Sequence, residues 1–167
     1  AINILDNLTN RGDDLLSQKG KTSGSNREWK SRRNPVLTPE IPLIILINRR
    51  SASASEIVAG TIQDLDRGIV LGEKSFGKGL VQHMYDLNDS TTLKVTTAKF
   101  YLPSGRLIQK QDYLDNGFLT DGLDKIDSTF ITKNGREVKG GGGIIPDVKI
   151  SKNKYSPFVN ALYKEKV

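Results

Sequence analysis

Apolar positions change their spacing several times along the chain, and each change predicts an element. Ile2, Ile4, Leu5 and Leu8 recur at helical intervals and predict a helix over residues 1–10, ended by Arg11-Gly12. Residues 13–19, with Leu15 and Leu16, read as a strand. A polar Gly/Ser turn over 20–26 follows, and residues 28–33 read as the return strand of a hairpin. Pro35, Pro39 and Pro42 then stop any regular element. Leu43 to Ile47 is an unbroken apolar run, bounded by Pro42 and by Asn48-Arg49-Arg50. Its length and content predict a strand buried on both faces. After Ser51-Ala52-Ser53-Ala54-Ser55-Glu56, the spacing of Ile57, Val58, Ile62 and Leu65 predicts an amphipathic helix. Ile69, Val70 and Leu71 form a second short apolar run, which leads into a loop punctuated by glycine.

Beyond that loop the pattern turns to short strands. Residues 80–87 and 92–102 read as strands separated by Asn88-Asp89-Ser90, with Thr96, Thr97, Phe100 and Tyr101 as β-favouring residues. Pro103-Ser104-Gly105 is a tight turn, and residues 107–109 resume extended chain. Residues 113–126 are rich in Asp and Gly and read as loop. Asn134-Gly135 between residues 129–132 and 136–139 is the strongest short hairpin signal. Gly140 to Gly143 reads as a loop that lets another backbone approach. Residues 144–150 read as a strand and 157–163 as a closing helix. No internal repeat is present, and the mixture of elements is α/β.

Composition narrows the chemistry. The 167 residues amount to one domain and can bury a sizeable core. There is no cysteine, which excludes disulfides, thiolate metal sites and cysteine nucleophiles. With one histidine, His83, a Ser-His-Asp triad or a histidine zinc site is hard to assemble. No metal or other cofactor is expected. No apolar run has the length of a membrane span. The net charge of +6 raises the question of nucleic acid. The basic residues are densest at Arg27, Lys30, Arg32, Arg33, Arg49 and Arg50, without aromatic or zinc-finger signatures, so they read as a solvated face.

Gly72-Glu73-Lys74-Ser75-Phe76-Gly77-Lys78-Gly79 comes close to a phosphate-binding loop. It lacks the Ser/Thr that would hold magnesium, and a strand-like segment follows where a helix is required. A Ser/Lys pair fits better. Serine needs a base, and a lysine serves only when neutral, which favours a desolvated setting. Lys78 lies between glycines with Phe76, Leu80 and Val81 nearby, whereas Lys74 reads as solvated. Gln82, four residues on, can orient Lys78, while His83 points the other way on a strand. Ser53 to Glu56 has the pattern of a capping box, so Ser53 has a structural role available. That role is compatible with nucleophilic chemistry, because a helix N-terminus offers free N–H groups to an oxyanion.

The runs SASASEIVAG, GEKSFGKGLVQ, LKVTTAKFYLPSGRLIQ and GGGGIIPDV resemble the C-terminal processing peptidases, or tail-specific proteases, of the S41 serine peptidase family. The resemblance covers residues 41–150. It implies Ser53 as nucleophile, Lys78 as base, Gln82 as its partner and the Ala54 N–H as an oxyanion donor. It also implies a Clp protease/crotonase-like ββα-superhelix core, here truncated at the N-terminus. The implied activity is serine endopeptidase cleavage near the C-termini of protein or peptide substrates through an acyl-enzyme, in the periplasm or cell envelope. The leading alternative is a non-catalytic peptide-binding scaffold of the same fold. The family's Asn-Pro-Gly-Gly stretch, which carries a second oxyanion donor, and its PDZ domain have no match. Residues 1–167 are therefore expected to be a single fragment of the catalytic domain, poorly active by itself. Arg50 stands where a smaller residue is common.

Overall fold

A computed structural model describes residues 1–110 and 128–150. The expected loop over 113–126 and the closing helix over 157–163 lie outside the described residues. The architecture is mixed α/β. Strands β1 (Asp14–Gly20), β2 (Arg27–Lys30), β5 (Leu80–Asn88) and β6 (Thr91–Tyr101) form an antiparallel sheet in the order β2-β1-β6-β5. Strands β3 (Ile44–Ile47), β4 (Ile69–Gly72) and β9 (Val148–Lys149) form a parallel sheet in that order. The longer helix, α2 (Ala54–Asp64), connects β3 to β4, as parallel pairing requires. A hairpin of β7 (Thr129–Ile131) and β8 (Glu137–Lys139) turns at Asn134-Gly135, where Gly135 has φ of 90°.

The core is assembled around α2. Ile57, Ala59 and Ile62 pack with Leu15 and Leu16 of β1, Ile47 of β3, Val70 of β4, and Leu102, Ile108 and Ile144 from the loops. Gly60 faces Leu102 and Ile144 closely enough that an added Cβ would collide with both. Behind the helix, Asp64 and Arg106 are almost fully buried and pair at 2.7 Å. Arg106 also donates to the side chain of Gln63, and Asp64 accepts the Ser104 N–H. Burial raises the Asp64 carboxyl, and Arg106 opposes it. The proline segment 35–42 is irregular as expected, and Arg67 holds it by donating to the carbonyls of Leu37, Thr38 and Ile41.

Three expectations from the sequence are corrected. The first helix, α1, is only Ile2–Leu5; its last residue, Leu5, enters the core, and the chain beyond it winds into turns in which Thr9 donates its hydroxyl back to the Leu5 carbonyl. The strand predicted over 144–150 is regular only at Val148–Lys149. The run 43–47 is not buried on both faces. Ile47 is 6% exposed, but Ile44 is 58% and Leu46 73% exposed. Its apolar content is that of a two-sided strand, yet among the described residues only one face meets the core.

Candidate active site

The strand β3 ends at Ile47, and the next six residues form a turn that places Ser53 at the N-cap of α2. Ser51 fixes the turn: its N–H donates to the Asn48 carbonyl and its Oγ accepts the Asn48 N–H. Ser53 has φ 55° and ψ −113°. An ordinary N-cap sits in the β region, and positive φ is uncommon for any residue with a side chain. A strained residue persists only where its surroundings over-determine it. The surrounding constraint here is Glu56.

Glu56 is fully buried in the first turn of α2. One carboxylate oxygen accepts the Ser75 hydroxyl at 2.5 Å and the Gly77 N–H at 2.6 Å. The other accepts the Ser53 N–H at 2.9 Å and the Lys78 N–H at 2.8 Å. A carboxylate has about four acceptor sites, and all are used. The negative charge also lies at the positive end of the helix. Ser53 and Lys78 therefore share one oxygen through their backbone N–H groups, which sets the two residues within two hydrogen-bond lengths at the main chain. Phe76 adds a second tie, donating its N–H to the Ser51 carbonyl.

On its other side the lysine loop rests on the glycine run. Ser75 donates its N–H to the Ile144 carbonyl and accepts the Ile144 N–H on its Oγ at 2.6 Å. Gly77 has φ of 90°, and a Cβ there would come within 3.0 Å of Gly142 and Gly143 backbone atoms. Gly143 likewise has no room beside the Ser75 carbonyl oxygen. The glycine run is thus a backbone-approach loop, as its composition predicts. Gln109 completes the frame by accepting the Gly79 N–H. The residue after Gly79 opens strand β5, not a helix, which removes the phosphate-loop reading.

Lys78 is half-buried and lines a cleft of about 230 Å³ with Phe76, Leu80, Gln82, Lys94 and Gln109. Gln82 shares this cleft, but its amide donates to Thr96 Oγ1 at 3.4 Å and makes no hydrogen bond to Lys78 among the described residues. Lys78 precedes the strand, so strand alternation from Lys78 to Gln82 does not apply; the loop and the cleft bring them together instead. His83 is exposed and sits in register with Val95, one position off the Gln82–Thr96 pair and so on the opposite face. Lys74 is exposed as expected. Ala54 opens α2, so its N–H is one of those that helix geometry leaves without an intrahelical acceptor. Reasoning from the sequence missed Glu56 as the central ligand, although its place in the Ser-x-x-Glu box was visible. It also missed Ser75, Gln109 and Lys94, for which composition carries no signal. Among the described residues no cluster of His, Asp or Glu suits a metal ion, and no helix is long and apolar enough to cross a membrane.

The mixed α/β fold gives the class of architecture, and comparison with known proteins identifies the family. The chain belongs to peptidase family S41, whose profile matches residues 1–119. It is 43% identical over 109 residues to the carboxy-terminal-processing protease of Bartonella bacilliformis, covering 65% of this chain and 25% of that protein. It is 38% identical over 110 residues to the chloroplastic C-terminal processing peptidase of Tetradesmus obliquus, covering 66% and 23%. Among solved structures, the photosystem II D1 C-terminal processing protease superimposes with a TM-score of 0.62 at 30% identity, over 90% of this chain and 30% of that one. A putative S41 protease from Bacteroides fragilis shares the fold at a TM-score of 0.54 and 14% identity, over 97% and 39%. The chain spans about a quarter of the length of the curated relatives it matches.

Proposed function

We propose that this chain carries the Ser/Lys dyad of a serine endopeptidase that cleaves near the C-termini of protein substrates. Residues 1–167 are read as part of one S41 catalytic domain, acting outside the cytoplasm. The observation that supports the reading most is the Glu56 carboxylate oxygen shared by the Ser53 and Lys78 N–H groups, which couples a strained serine to a lysine in a cleft. In this reading the Lys78 amine takes the Ser53 hydroxyl proton as Oγ attacks the scissile carbonyl carbon. The tetrahedral oxyanion is met by the Ala54 N–H at the helix N-terminus. The C–N bond breaks as the ammonium of Lys78 returns its proton to the leaving amine. Water then adds to the ester carbonyl, giving up its proton to Lys78; the acyl C–Oγ bond breaks as Lys78 returns that proton to Oγ, which releases the acid and regenerates Ser53 and the neutral amine. Gln82 acts as a cleft residue beside Lys78, and Glu56 as a positioning residue.

The test is labelling of the full-length protein with a serine-reactive fluorophosphonate, mapped by mass spectrometry, beside cleavage assays on C-terminally tailed substrates. The expected result is label on Ser53, its loss in Lys78→Ala, and a fall in kcat of about 10⁴-fold or more in Ser53→Ala. A folded Ser53→Ala protein that cleaves at the wild-type rate overturns the assignment. Absence of both label and cleavage in the folded wild type leaves the peptide-binding scaffold as the better account.

A further inference from the structure

We propose that Lys94 anchors a carboxylate of the substrate at the end of the Lys78 cleft, and that it thereby selects acidic peptides. This rests on the protease reading of the same site. Lys94 lies on β6 in register with Met84, two positions along from the Gln82–Thr96 pair. Alternation puts Met84, Lys94, Gln82 and Thr96 on one face of the β5–β6 ribbon. Lys94 accordingly lines the cleft together with Lys78 and Gln82.

The positive charge of Lys94 has no ion-pair partner among the described residues. Asp86, the acidic residue further out on β5, accepts a hydrogen bond from Thr92. Glu56 has both oxygens occupied by four donors and forms no ion pair with Lys94. Lys110 adds further positive charge, lying over the Phe76 ring with its Nζ 5.2 Å from the centroid. A peptide lying in the cleft would neutralise it best by bringing a carboxylate to Lys94. Two strand positions span about 7 Å, so the carboxylate belongs within a few residues of the bond cleaved. It can come from an Asp or Glu side chain or from the free C-terminus.

The experiment uses the full-length protein and one peptide made with Asp or Asn at each position flanking the cleaved bond, each with a free or amidated C-terminus. Pairs are competed, and the ratio of kcat/KM values is read by mass spectrometry. The same pairs are also titrated onto the Ser53→Ala protein by fluorescence anisotropy. The expected preference for the carboxylate is about three- to fivefold at low salt, the size of an exposed ion pair, and it fades as salt is raised. It should fall to about one in Lys94→Met, persist in Lys94→Arg and invert in Lys94→Glu. A ratio cancels any general loss of folding or activity. Preference carried by Asp over Asn with either terminus assigns the side chain, and preference carried only by the free terminus assigns the C-terminal carboxylate. An unchanged ratio in Lys94→Met overturns the proposal while leaving the protease reading intact. If no peptide is cleaved, the protease reading fails, and the anisotropy ratios still decide the role of Lys94.

Discussion

The N-terminus of α2 and the outer face of the parallel sheet are built from neighbouring stretches of chain by opposite means. At the helix, one buried carboxylate gathers four donors from the serine turn and the lysine loop. On the sheet, Ile44 stands in register with Ile69, and Leu46 with Leu71 and Val148, giving rows of apolar side chains on one face. Ile44, Leu46, Ile69 and Val148 are all exposed. The first region is over-determined by directional hydrogen bonds that all lie within it. Among the described residues, the second presents non-directional apolar surface on its outer side. Changing a group in the first should therefore move backbone atoms at the site, whereas changing a side chain in the second should leave the fold as it is.

Glu56→Ala is the largest expected perturbation. It strands the buried Ser75 hydroxyl and Gly77 N–H, each at a cost of about 1–3 kcal/mol, and removes the acceptor of the half-buried Lys78 and Ser53 N–H groups. Stability measured by urea unfolding should fall by about 3 kcal/mol or more. Cleavage by whatever folded protein remains should fall by about 10²-fold, because Ser53 and Lys78 lose their shared support. Glu56→Gln keeps the volume but offers one acceptor oxygen in place of two, and should fall between the two. Wild-type activity in Glu56→Ala would show that the site does not depend on this carboxylate.

The legibility of the molecule in its sequence follows the same division. The hairpin at Asn134-Gly135, the β1–β2 hairpin and the strand–helix–strand around α2 were readable, because local spacing and turn chemistry decide them. The glycine run was readable as a close-approach loop, since only glycine fits where a Cβ would strike another backbone. The exposed face of β3 was not readable. A continuous apolar run carries the same signal whether or not something covers its second face. Ser53, Lys78, Gln82 and Ala54 were nominated by chemistry and resemblance, and the fold sets Ser53 and Lys78 on one carboxylate. Lys78 and Gln82 meet through a loop and a cleft, because Lys78 lies outside the strand. Glu56 has partners nineteen to twenty-two residues away, and no local pattern announces such bonds.

The rim of the apolar face offers a smaller test. Asp66 pairs with Arg136, which also reaches Asp147, beside Ile44, Ile69 and Val148. Desolvation alone would raise the Asp66 carboxyl, but hydrogen bonds from Thr132, Arg136 and the Asn134 N–H outweigh it and hold the group below its ordinary 3.8. A depressed folded-state value stabilises the protein above the unfolded value and loses that contribution as pH falls through the folded one. The effect therefore belongs to the acid limb, below about pH 4. Asp66 has φ of 52°, a conformation Asn tolerates well, so Asp66→Asn removes the charge with little added backbone strain. The variant should lose less than about 1 kcal/mol at neutral pH and show a shallower acid unfolding limb. An acid limb of unchanged slope would mean that the Asp66 carboxylate contributes nothing to stability through its pairing with Arg136.

The smallest effect is expected on the face itself, and adjacent positions of β3 provide the control. Ile47 is 6% and Leu46 73% exposed, on opposite sides of one strand. Ile47→Ala should cost about 2–5 kcal/mol, the range for truncating a buried aliphatic side chain. Leu46→Thr keeps a β-favouring side chain and loses little buried area, so it should stay within about 0.5 kcal/mol. If urea unfolding instead shows Leu46→Thr costing as much as Ile47→Ala, the outer face is packed in solution as firmly as the inner one. The contrast between the two regions would then be one of bonding type alone, with both held fixed.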